Sequence, residues 1–92
     1  MNYKLVYTES YLKRERKFFR RHPELLGQYE KTLMLLELNP HHPSLRLHQL
    51  SGKLDQLYSV SINMSYRLVM EFLILDRELV LVDVGDHDRV YR

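Results

Sequence analysis

Leu36-Glu37-Leu38-Asn39-Pro40-His41-His42-Pro43-Ser44-Leu45-Arg46-Leu47-His48-Gln49 is the stretch where the spacing of apolar residues changes from helical to alternating. Upstream, Leu25, Tyr29, Thr32, Leu33 and Leu36 recur three and four residues apart, which predicts a helix that Asn39-Pro40 ends. Before it, residues 9–21 predict a first helix with a narrow apolar seam, Leu12 and Phe19 flanked by Tyr11 and Phe18, and basic residues between. Thr8 is placed to cap that helix, and His22-Pro23 separates the two into a hairpin. Tyr3-Lys4-Leu5-Val6-Tyr7, short and rich in aromatic and branched residues, predicts an opening strand.

Downstream of Pro43 the chain reads as sheet. Leu45-Arg46-Leu47-His48-Gln49 alternates strictly, with a turn or loop at Ser51-Gly52-Lys53. Residues 57–63 set Tyr58, Val60 and Ile62 against Leu57, Ser59 and Ser61, and Asn63-Met64-Ser65 connects them to Tyr66–Phe72. In that strand Tyr66, Leu68, Met70 and Phe72 share a face. A last strand is expected from Glu78 to Val84, after a turn at Asp76-Arg77 and ended by Gly85. The order β-α-α-β-β-β-β predicts a single α+β domain over residues 1–92, a mainly antiparallel sheet with both helices on one face. With the apolar alternates under the helices, Arg46, His48, Ser59, Ser61, Arg67 and Glu71 gather on the other, partly open face.

Composition narrows the chemistry. The chain has 92 residues, 45% of them hydrophobic, enough for one core. Without cysteine there is no disulfide framework, thiolate nucleophile or cysteine zinc site. The segment up to Lys13 does not resemble a signal peptide, and no apolar run is long enough to cross a bilayer. A cytoplasmic location and no membrane association are expected. The net charge of +2 is unevenly spread: residues 1–21 carry seven basic side chains (Lys4, Lys13, Arg14, Arg16, Lys17, Arg20, Arg21) against Glu9 and Glu15. Acidic side chains prevail after Phe72. The basic run is either a face for a polyanion or a solvated helix surface. His41-His42 does not make a metal site, because adjacent side chains in extended chain point apart.

Three segments resemble the RelE/ParE superfamily of toxins, in the family's order. Asn39 to Leu54 and Leu57 to Val69 are similar to the middle of RelE-type chains. Val84-Gly85-Asp86-His87-Asp88-Arg89-Val90-Tyr91 resembles the glycine-x-histidine-x-x-x-tyrosine tail of the RelE, YoeB and YafQ branch. The resemblance implies a curved sheet with two helices on one face. It also implies the toxin of a type II toxin-antitoxin system, a ribosome-dependent endoribonuclease that cuts messenger RNA without metal or other cofactor. Its partners would then be a cognate antitoxin, the ribosome and mRNA. The alternatives are a ParE-like inhibitor of DNA gyrase and a catalytically degenerate binding protein with the same fold.

Metal-free RNA cleavage needs a base for the 2′-hydroxyl proton, cations for the phosphorane, an acid for the leaving 5′-oxygen and a grip on the bases. By the resemblance, His87 matches a tail histidine of YoeB and YafQ, and Arg67 an arginine of RelE and YoeB that holds phosphate. The alternative role of Arg67 is a salt bridge with a neighbouring carboxylate, Glu71 being one candidate. His48 resembles a functional histidine of the YafQ branch and would be the base if His87 is the acid, or the reverse. Lys53 corresponds to a RelE lysine, and Arg46 is a candidate second phosphate contact. Tyr91 matches the RelE C-terminal tyrosine and either stacks on a base or packs the tail. Ser61 and Ser65 stand where YafQ has its second histidine and following aspartate, so that catalytic set is not repeated.

Overall fold

The Thr8 hydroxyl accepts a hydrogen bond from the Tyr11 amide (3.1 Å) and so satisfies one orphan donor at the start of α1 (Glu9–Arg21). Glu9 lies in the first turn and Arg20 and Arg21 in the last, each complementing the helix dipole. The computed structural model describes residues 2–51, 56–73 and 76–86. After His22, a 3-10 turn at Pro23–Leu25 leads into α2 (Leu26–Leu38), which Asn39 ends in extended conformation. Proline at the start of the turn has the φ that the turn needs and lacks the amide it would leave unpaired.

Strands β1 (Lys4–Tyr7), β2 (His48–Gln49), β3 (Leu57–Ser61), β4 (Tyr66–Leu73) and β5 (Glu78–Asp86) form one sheet in the order β1-β5-β4-β3-β2. β1 runs parallel to β5, and the other pairs are antiparallel. The result is an open α+β sheet with two helices before its antiparallel strands, as the order of elements predicts. Asn63 joins β3 to β4: its Oδ1 accepts from the Ser65 and Tyr66 amides (2.8 and 2.9 Å), a side-chain mimic of a backbone turn.

The main core lies between helices and sheet. Tyr11, Phe18 and Phe19 of α1 and Tyr29 and Leu36 of α2 pack with Val60, Leu68, Met70, Leu79, Leu81 and Val84. Leu12, expected in the α1 seam, is only half-buried, and Tyr11 and Phe18 take the inner line. Polar groups within the helical layer are paired. Tyr11 and Tyr29 share a hydrogen bond between hydroxyls (2.6 Å), and Tyr29 also donates to the Glu15 carboxylate. Burial pushes both phenols well above their ordinary range, because the phenolate would lose its hydration. Thr32, fully buried on α2, donates back to the Gln28 carbonyl (2.9 Å), which explains a hydroxyl in an apolar stripe.

Two sequence expectations are corrected. The strand expected from Leu45 is instead a 3-10 turn, Pro43–Leu45, followed by Arg46 in the left-handed region (φ 50°, ψ 52°); β2 comprises only His48 and Gln49. His42 stabilises the turn, its Nδ1 accepting from the Ser44 amide (3.2 Å) and lying 2.8 Å from the Ser44 hydroxyl. The Leu45/Leu47 alternation persists because the kink at Arg46 still lets Leu45 enter the core and Leu47 pack against it. Gly85 does not end the last strand. β5 continues to Asp86, where Gly85 pairs with Arg67 and Asp86 with Tyr66.

β5 also carries a bulge. Val69 pairs with Asp83 but Met70 with Leu81, so Val82 is an extra residue. The bulge changes the phase of the strand, and Leu79, Leu81 and Val84 all reach the core despite their uneven spacing.

Candidate functional site

On the sheet face away from the helices, the cross-strand register gathers the predicted polar residues. His48 on β2 pairs with Ser59 on β3, Ser59 with Val69 on β4, and Ser61 with Arg67. Arg67 is centred on this group. Its Nη2 donates to the Ser59 hydroxyl (3.0 Å) and to the backbone carbonyl of Arg46 (3.0 Å). The left-handed turn at Arg46 thus has a use: it presents a carbonyl to the guanidinium while the Arg46 side chain remains exposed. Ser61 is turned to its own hairpin, donating to the Asn63 carbonyl (2.7 Å).

This face is less open than expected. Arg67 is only 8% exposed and Ser59 fully buried, and Leu50, Leu57, Val69 and Val82 form a second small apolar cluster. His48, on the two-residue edge strand, is exposed. The site therefore pairs a rigidly held cation with an accessible imidazole. Lys53, His87 and Tyr91, the other residues assigned here from the sequence, lie outside the described residues. Among the described residues, no group of three or more histidine, aspartate or glutamate side chains is placed to hold a metal ion. No helix among them is long and apolar enough to cross a membrane.

A cavity of about 570 Å³ opens elsewhere, on the helix side of the sheet where β4 begins and β5 ends. Arg14, Lys17, Phe18, Arg21 and His22 line it from α1 and the residue after it, and Tyr66, Gly85 and Asp86 from the strands. The rings of Phe18, His22 and Tyr66 form a cluster, with centroids 4.6 Å apart for Phe18 and His22, 4.9 Å for His22 and Tyr66, and 5.4 Å for Phe18 and Tyr66. Sequence reasoning treated His22 only as a helix interrupter. The available signal was the interleaving of Lys17, Phe18, Arg21 and His22, which puts cations and rings along one edge of the helix.

No protein-family model matches this chain, and no curated protein matches it by sequence. Solved structures do. YafQ from Escherichia coli BL21(DE3) superposes with a TM-score of 0.77 at 14% identity, covering 98% of this chain and 99% of that one. A copper-bound mutant toxin from Helicobacter pylori gives 0.66 at 28% identity, over 99% and 100% of the two chains. The YoeB–YefM toxin-antitoxin complex of Staphylococcus aureus gives 0.68 at 17% identity, over 95% and 99%. YafQ is similar in its complex with DinJ as well. The shared architecture runs over nearly the full length of each, and this chain has the RelE/YoeB-type toxin fold.

Proposed function

We propose that this protein is the toxin of a toxin-antitoxin pair and that it cleaves messenger RNA on the ribosome. The toxin role is supported by full-length similarity to YafQ and YoeB, each of which occurs in a toxin-antitoxin complex. The cleavage role is carried by one observation: Arg67 fixed by Ser59 and the Arg46 carbonyl on the same sheet face as His48.

In the proposed reaction the RNA 2′-hydroxyl attacks the adjacent phosphorus, one histidine takes its proton, and the other donates a proton to the departing 5′-oxygen. The products are a 2′,3′-cyclic phosphate and a 5′-hydroxyl. His48 and His87 divide these two transfers, since an imidazole can both accept and donate a proton. Arg67 holds a non-bridging oxygen and neutralises the phosphorane. A phosphate would replace the Ser59 hydroxyl as its acceptor, because a bond between two charged groups is stronger than one to a neutral hydroxyl. Arg46 and Lys53 add positive charge, and Tyr91 stacks on a base. The reaction uses no metal or cofactor, and the cognate antitoxin blocks it.

A second reading, a binding protein of the same fold without cleavage, draws on the 8% exposure of Arg67, which suits a structural arginine. Cell-free translation of a defined message with the protein added, followed by mapping of RNA ends, separates the two. Cuts confined to ribosome-bound message support the ribonuclease. Intact message with arrested translation supports the binding protein, and intact message with a supercoiling defect points to gyrase.

A further inference from the structure

The cavity between α1 and the β4–β5 end is separate from the Arg67 face, yet adjacent to it. Tyr66 and Arg67 are consecutive on β4, so their side chains leave opposite faces of the sheet at the same end. Within the cavity Arg14 is paired with Asp83 (3.3 Å), and His22 lies 3.6 Å from Glu24. Lys17 and Arg21, one turn apart and both exposed, have no ion-pair partner among the described residues. Asp86 at the strand end is the acidic member of the lining and disfavours an anion there. Anionic groups would therefore settle on the α1 side, and a flat group against the half-buried His22 and Tyr66 rings. The volume of about 570 Å³ suits one nucleotide unit, within the range of roughly 300–1,000 Å³ for small-ligand sites.

We propose that this cleft is a second contact for single-stranded RNA, with one base packed against the His22 and Tyr66 rings, whose planes are inclined by 53°, and the flanking phosphates on Lys17 and Arg21. Cations spaced along a wall of rings are the arrangement by which proteins hold single strands without reading sequence. A purely acidic peptide would use the cations but leave the aromatic wall without a partner. The choice of RNA as the polyanion rests on the ribonuclease reading, while the cationic and aromatic composition of the cleft does not.

The test is a fluorescence-anisotropy titration of a labelled, fully 2′-O-methylated RNA oligonucleotide, which lacks the attacking hydroxyl and stays intact. Lys17→Ala/Arg21→Ala is expected to weaken binding at least about tenfold and to reduce the slope of log affinity against log salt by about 1.4, for two phosphate contacts. His22→Ala should weaken it about fivefold or more, and His22→Phe should restore it, because the ring and not the charge is used. Unchanged affinity and slope in the double variant would overturn the proposal, as would the absence of saturable binding at low salt. Tighter binding of a hexaglutamate peptide, with the same dependence on Lys17 and Arg21, would overturn it in favour of an acidic protein segment. Cleavage of ribosome-bound message is scored in parallel. RNA binding that depends on the cleft without any cleavage defeats only the ribonuclease reading, and cleavage without dependence on the cleft defeats only this one.

Discussion

Arg67 shows how the fold holds a cation at the place where the proposed cleavage needs one. A buried guanidinium is tolerated because Ser59 and the Arg46 carbonyl accept its hydrogen bonds, and removing an acceptor leaves a desolvated donor. Ser59→Ala is therefore expected to lower unfolding free energy by about 1–3 kcal/mol, read by urea denaturation. Arg46 contributes through its backbone. At φ 50° any side chain except glycine is strained, so Arg46→Gly should stabilise the fold by about 0.5–1 kcal/mol and keep the carbonyl that Arg67 uses. If the Arg46 side chain also meets phosphate, the same variant will cut RNA more slowly while melting at a higher temperature. Period-two alternation was enough to place Arg67, Ser59 and His48 on a common face. The burial of Arg67 and Ser59 was not legible, because alternation assigns a face and not what packs on it, here the cluster of Leu50, Leu57, Val69 and Val82.

Among the elements, α1 was the most legible. Thr8, Glu9 and the basic last turn mark both of its ends by local chemistry, and the helix occupies the predicted residues 9–21. The stretch at Leu45 was misread because a 3-10 turn followed by one left-handed residue also sends Leu45 and Leu47 inward. Alternation alone does not distinguish the two. The bulge at Val82 left no mark in a run of apolar residues whose pairing partners are set by tertiary contacts. The helical hairpin makes its own prediction. Tyr11 and Tyr29 have phenols raised above the ordinary 10.0, so the folded state holds their protons more tightly than the unfolded chain. Their contribution is complete below pH about 10 and is lost as pH rises beyond it. Alkaline unfolding should thus be steeper for the parent than for Tyr29→Phe, which also loses about 1–3 kcal/mol at neutral pH by leaving Tyr11 and Glu15 one partner short.

At the scale of the molecule, the two faces of one sheet carry different surfaces: a polar site around Arg67 on one side, a cationic cleft under α1 on the other. Both converge on the end where β4 begins and β5 finishes. On the proposed function, RNA affinity is expected to fall steeply with salt, and an antitoxin that covers either surface is expected to block cleavage. The most direct test of the central claim is the rate at which ribosome-bound message is cut by the parent and by Arg67→Lys. The lysine keeps the charge and the aliphatic stem but loses the planar fork. Parental cleavage falling by roughly 100- to 1,000-fold in a variant that remains folded is the expected result. Equal rates for the two proteins, or an intact message with the parent, would contradict it.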